Sequence, residues 1–200
     1  SLRKSGLDLA ALWERKKGVI DQTPGLSVDR GTERFEDVID LDTIVGFCRQ
    51  LAAGPDAPAV IVRVEEIEKV MAGAATEGGD STGVQQDAMS QVLERMEDCD
   101  WTGMLCYGVP GAGKSLLCKA FANSVGALPL KLDGGGTRGR FVGDSEQRIR
   151  AALAAILAAG GRSRVCFVAS CNKLVTLPPE LRRRFRMGLW FFDLPSAEGR

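Results

Sequence analysis

Apolar positions along this chain change period repeatedly, and the changes mark out alternating strands and helices. Ala59 to Val64, Met104 to Tyr107, Leu128 to Leu132, Val165 to Ala169 and Leu189 to Phe192 are short, nearly continuous apolar runs. Runs of that length fit strands buried on both faces. Between them the apolar residues recur at helical spacing. Leu41 to Leu51 can gather Ile44, Val45, Phe47, Cys48 and Leu51 on one side, and Val84 to Met96 does the same with Val84, Ala88, Met89, Val92, Leu93 and Met96. Leu116 to Ser124 is helix-like. A further helix is opened by Asp144, with Gln147 three positions on in the manner of a capping box. It carries Ile149, Leu153, Ile156 and Leu157 as its stripe and stops at Gly160-Gly161. Residues 7–20 read as a short helix with Leu9, Leu12 and Trp13 on one side, ended by Thr23-Pro24-Gly25. Residues 21–34 read as a polar linker, and 72–83 and 134–139 as glycine-rich loops.

Five apolar runs joined by helices predict an α/β fold, a five-stranded parallel sheet sandwiched by helices. Arg63 interrupts the first run and is unexpected in a central strand. Ligands of such sheets sit at the C-terminal edge of the strands, and the chemistry of this chain falls there. Residues 108 to 115, Gly-Val-Pro-Gly-Ala-Gly-Lys-Ser, form a complete G-x-x-x-x-G-K-[ST] phosphate loop between a strand and a helix. The glycines let backbone N–H groups turn toward phosphate oxygens, and the helix N-terminus adds partial positive charge. Lys114 can reach the outer phosphates, and Ser115 can offer its hydroxyl to Mg²⁺. The nucleotide-binding residues expected on this basis are Gly108, Pro110, Gly111, Ala112, Gly113, Lys114, Ser115 and Leu116, with a nucleoside triphosphate and Mg²⁺ as ligands; the loop alone fits kinases, GTPases and ATPases alike. Hydrolysis also needs acids at a strand end, and Val64-Glu65-Glu66 supplies them. Glu65 would hold Mg²⁺ through water beside Ser115, and Glu66 would polarise the attacking water.

Bulk properties narrow the partners. Hydrophobic residues make up 44% of 200, enough for a core, and 26 basic residues balance 26 acidic ones. That balance asks for neither nucleic acid nor a membrane surface, and no apolar stretch approaches a membrane span. Six cysteines without a C-x-x-C pair, and no histidine, argue against a zinc site of the usual spacing. Cys106 and Cys166 lie in apolar runs and read as buried thiols; with no signal-peptide pattern, a cytoplasmic location is expected. The absence of an initiating Met reads as an excised or processed chain.

Six segments together resemble the AAA+ ATPases, most closely those of phages, cyanobacteria and plastids. Beyond the phosphate loop, Glu65-Glu66-Ile67-Glu68-Lys69 resembles their Walker B segment. Phe35-Glu36-Asp37-Val38 followed by Leu41-Asp42 resembles the linker that enters the module. Phe141-Val142-Gly143-Asp144-Ser145-Glu146 is similar to an aromatic pore loop and the helix behind it. Val168 to Asn172 resembles the strand ending in the sensor 1 asparagine. Leu177 to Phe185 resembles the arginine-finger segment, and Asp193-Leu194-Pro195 the end of the last strand. The resemblance implies residues 1–34 as N-terminal helix and linker, and 35–200 as a nucleotide-binding subdomain whose helical lid and sensor 2 arginine are absent.

The same resemblance implies an ATP-hydrolysing remodeller that forms a ring, a homo-hexamer, and threads a polypeptide. Asn172 would orient water. Arg184, or else Arg182 or Arg183, would reach a neighbouring subunit's nucleotide, and Phe141, Val142 and Gly143 would contact the substrate protein. Two departures stand out. Glu65 replaces the family's Asp, moving the carboxylate by about 1.5 Å. The acidic strand also precedes the phosphate loop, whereas in the family it follows. If strand 60–64 has been transplanted with its helix, it should still lie beside strand 165–169, with that strand beside 104–107. Two rival readings remain: a nucleotide-gated scaffold with weak or no hydrolysis, and a small-molecule kinase or DNA-handling motor.

Overall fold

The computed structural model of the protein describes residues 17–29, 31–68, 82–133 and 142–196. Six strands are formed among them: β1 (Leu26–Val28), β2 (Val60–Val64), β3 (Thr102–Gly108), β4 (Leu128–Leu132), β5 (Val165–Cys171) and β6 (Leu189–Phe192). The longer helices are α1 (Asp42–Ala53), α2 (Thr82–Asp98), α3 (Lys114–Val125) and α4 (Val142–Gly160), and α5 (Pro179–Arg184) is a short one. The described part of the segment read as an N-terminal helix is helical over residues 17–21. Residues 7–16, the loop at 134–139 and most of that at 72–83 lie outside the described residues; 82 and 83 already belong to α2.

The strands join one sheet in the order β1-β4-β2-β5-β3-β6. The five strands expected from the sequence are mutually parallel, with β2 paired to β5 from Val60↔Val165 to Val64↔Ala169. On its other side β5 pairs with β3, from Thr102↔Cys166 to Tyr107↔Cys171. The early acidic strand is therefore one strand removed from the phosphate-loop strand, in the spatial order expected for a transplanted strand–helix unit. Chain order and neighbour order are separable here because parallel strands are joined by crossover helices, which can pass over an intervening strand.

The linker reading of residues 21–34 needs one correction. Leu26–Val28 forms a sixth strand, antiparallel to β4, with Leu26 opposite Leu132 and Val28 opposite Leu130. Leu26 is buried while Ser27 faces solvent, the alternation of an edge strand. Three residues are too few for that alternation to stand out from polar neighbours. Gly25, at φ +79°, makes the turn into the strand.

Two apolar layers flank the sheet. On one face, Val92 and Met96 of α2 and Ile149, Leu153 and Ile156 of α4 pack with Val60, Val62, Val64 and Phe167. On the other, Ile44, Val45 and Cys48 of α1 join Leu117, Cys118 and Phe121 of α3 over Ile61, Met104, Cys106, Cys166 and Val168. All five residues of β2 are buried, which is why its sequence reads as a continuous apolar run. Arg63 is the exception within it, and it points to the α3 side with Ile61.

Candidate nucleotide site

Strand β3 ends at Gly108, and helix α3 begins at Lys114. The loop between them needs glycine for conformational reasons. Gly111 and Gly113 take φ +83° and +84°, and Gly113 caps α3 in the left-handed region. Gly108 is constrained further: its φ is +144°, and an added Cβ would stand 2.0 Å from the Phe192 carbonyl oxygen on β6. The glycine spacing in the motif is thus a backbone requirement of this loop.

A cleft of about 460 Å³ opens where β2, β5 and the loop end together. It is lined by Glu65, Glu66, Pro110, Gly111, Gly113, Lys114, Ser115, Leu116, Ser170 and Asn172. The acidic pair and the lysine–serine pair therefore face one space. Ser115 Oγ donates a hydrogen bond of 2.7 Å to Glu65 Oε1. The same carboxylate meets two cations: Arg63 Nη1 at Oε1 and Lys131 Nζ, 3.0 Å away, at Oε2. Burial pushes the Glu65 carboxyl up, but the Ser115 hydrogen bond, Lys131 and Arg63 outweigh it and hold it below its ordinary range.

Lys114 curls over its own loop. Its Nζ lies 2.7 Å from the carbonyl oxygens of Gly108 and Val109 and 3.4 Å from Asn172 Oδ1. Burial lowers the Lys114 ammonium pKa, opposed by the field of Cys171, Glu68 and other neighbours. Glu66 sits at the end of β2 with φ +47°, a left-handed backbone rare for a non-glycine residue. Its N–H donates to Ser170 Oγ at 3.2 Å, tying that bend to the end of β5. Asn172 is positioned by its own backbone N–H, which donates to Glu68 Oε1 at 2.8 Å. Among the described residues, the remaining oxygen of Glu68 is buried without a hydrogen-bond partner.

Ser170, Glu68 and Lys131 were not read as site residues from the sequence. Ser170 and Glu68 lie inside the two matched strand-end segments, so their position was available. Lys131 was not, because its approach to Glu65 depends on the β2–β4 register, in which it stands beside Arg63.

The finger arginines do not line the cleft. Arg184 forms an ion pair with Glu97 at the end of α2. Arg183 is exposed, and Arg182 has a buried Nε without a hydrogen-bond partner among the described residues. Phe141 lies outside the described residues, and the backbone of Val142 and Gly143 begins α4.

Part of the site, the phosphate loop, falls in a stretch that matches a known family. Residues 104–160 match the family model described as ATPase family associated with various cellular activities (AAA). Protein SAV of Sulfolobus acidocaldarius is 50% identical over 48 residues, 24% of this chain and 6% of that protein. The cell division cycle protein 48 homolog of Archaeoglobus fulgidus is 46% identical over 48 residues, with the same shares. The matched stretch is thus a small part of these curated relatives. Among solved structures, the FIGL-1 AAA domain in complex with ADP aligns with 93% of this chain and 63% of its own, at 15% identity and TM-score 0.48.

Proposed function

Because residues 104–160 match the AAA family model, we propose that this chain is an AAA ATPase whose cleft binds ATP with Mg²⁺ and hydrolyses the γ-phosphate bond. The observation that carries the reading is the 2.7 Å hydrogen bond from Ser115 to Glu65, at the mouth of a cleft also lined by Glu66, Lys114 and Asn172. Residues from two strand ends and a phosphate loop meet where a triphosphate would lie. The donor set suits Mg²⁺, since a hydroxyl and a carboxylate oxygen are adjacent hard ligands and this ion takes few protein ligands. Ser115 and Glu65 would hold it, and when bound it would neutralise charge on the phosphate oxygens.

The other roles fall to the chain's own groups. The loop N–H groups and Lys114 bind and orient the phosphates. Glu66 accepts a hydrogen bond from the attacking water and draws off its proton. Asn172, held by Glu68, orients that water. An arginine of α5, Arg184 first, serves a neighbouring copy's nucleotide in a homo-hexameric ring. Phe141, Val142 and Gly143 then contact a polypeptide drawn through the ring. The location is cytoplasmic. Residues 35–200 are the nucleotide-binding unit and 1–34 lead into it.

A second reading is favoured by one observation. Both oxygens of Glu65 are already engaged by cations, which suits a nucleotide-gated scaffold with weak hydrolysis. Fluorescent-ATP binding and steady-state phosphate release by the intact chain decide between them. Binding with turnover abolished by Lys114→Ala supports the ATPase. Binding without release above background supports the scaffold, and no binding of ATP or ADP removes both.

A further inference from the structure

Beneath the cleft, four charged side chains are linked in a row, Asp29–Arg63–Glu65–Lys131. Arg63 lies in the middle of the sheet and is 7% exposed. Its Nε donates to Asp29 Oδ2 at 2.7 Å, just beyond β1, and its Nη1 pairs with Glu65. Lys131, next to Arg63 across the β2–β4 register, closes on the second oxygen of Glu65. Two carboxylates and two cations balance within the network. A guanidinium this deep is tolerable only when paired, and Asp29 and Glu65 together supply that pairing.

The balance bears on the metal. A carboxylate holds Mg²⁺ through uncompensated negative charge, and that hold weakens when fixed cations already stand at its oxygens. Resting on the nucleotide-site reading, we propose that Arg63 and Lys131 act as a built-in counter-charge at Glu65, so that nucleotide binding itself depends little on the divalent metal that turnover uses. Lys131 sets that dependence. The two cations are part of the framework, so they stand at Glu65 whether or not a metal ion arrives. Lys131 is a positioning residue here, acting on nucleotide through Glu65.

The test is equilibrium binding of a fluorescent ADP to the intact 200-residue chain, in excess Mg²⁺ and in excess EDTA. For the wild type the two dissociation constants should agree within about threefold, below the roughly 5–150-fold range of ordinary coupling between two ligands. Lys131 has 36% of its side chain exposed, so Lys131→Met should still fold, losing no more than the small contribution of a solvent-exposed ion pair. It should open a gap of about tenfold or more between the two conditions. Lys131→Arg, which restores the charge, should close it again. Tight binding by the wild type only with Mg²⁺ would overturn the proposal and leave the nucleotide site standing. An unchanged ratio in Lys131→Met would overturn it as well. No binding in either condition would overturn it together with the nucleotide reading.

Discussion

Ser115 and Glu65 stand fifty positions apart in the chain, yet the hydroxyl of one lies 2.7 Å from the carboxylate of the other. The contact depends on β2 and the phosphate loop delivering residues to the same edge of the sheet, with β5 between their strands. In chain order the acidic strand comes first. In space it occupies the place from which its acids can face the loop.

Glu66→Gln separates binding from chemistry. The substitution keeps the backbone and its hydrogen bond to Ser170 and removes the carboxylate proposed as the base. Nucleotide affinity should stay within about twofold, while phosphate release falls about 100-fold or more, the usual weight of a general base. Undiminished release would remove Glu66 from that role.

Acid should expose the contribution of Glu65. Its carboxyl is held below the ordinary value of 4.5, so its stabilising effect is complete above that pH and is lost as pH falls through the lower folded value. Glu65→Gln should therefore be less stable than wild type at about pH 6, with the gap narrowing toward about pH 3. Urea unfolding at a series of pH values reads this directly. A gap that stays constant, or widens in acid, would contradict the assigned field.

Gly108→Ala should be costly. The new Cβ meets a β6 carbonyl carbon and oxygen, and the residue sits at φ +144°. A loss of about 3 kcal/mol is expected from enforced strain of this kind, which for a domain near this size lowers the melting temperature by about 6–12 °C. A thermal shift under about 2 °C would show that β6 yields easily.

All six cysteines are free and buried. Burial pushes the Cys48 thiol up to about 12 and that of Cys171 up to about 11. Thiolate is therefore scarce at neutral pH, and reagents have no access. An aromatic disulfide reagent should label no thiol rapidly in the folded chain and all six in denaturant. A fast-reacting thiol in the native protein would mean that one of the two layers opens readily.

Much of this architecture was legible along the chain. The five parallel strands, the stripe of α4 and the loop from Gly108 to Ser115 follow from periodicity and from glycine's freedom at positive φ. The strand at Leu26–Val28 is not legible in the sequence, because three residues carry almost no periodic signal. Arg63 could be seen as anomalous, but its partners could not be named: Asp29 lies 34 positions away, and Lys131 reaches Glu65 from the next strand.

Backbone sterics and side-chain alternation act over a few bonds, so consecutive residues were enough to set each strand, each helix and the phosphate loop. Which strands became neighbours, and in what register, follows from burying two faces of one sheet at once, a condition no short segment contains. That packing brought an early acid to a later serine and turned an isolated buried arginine into part of a neutral network.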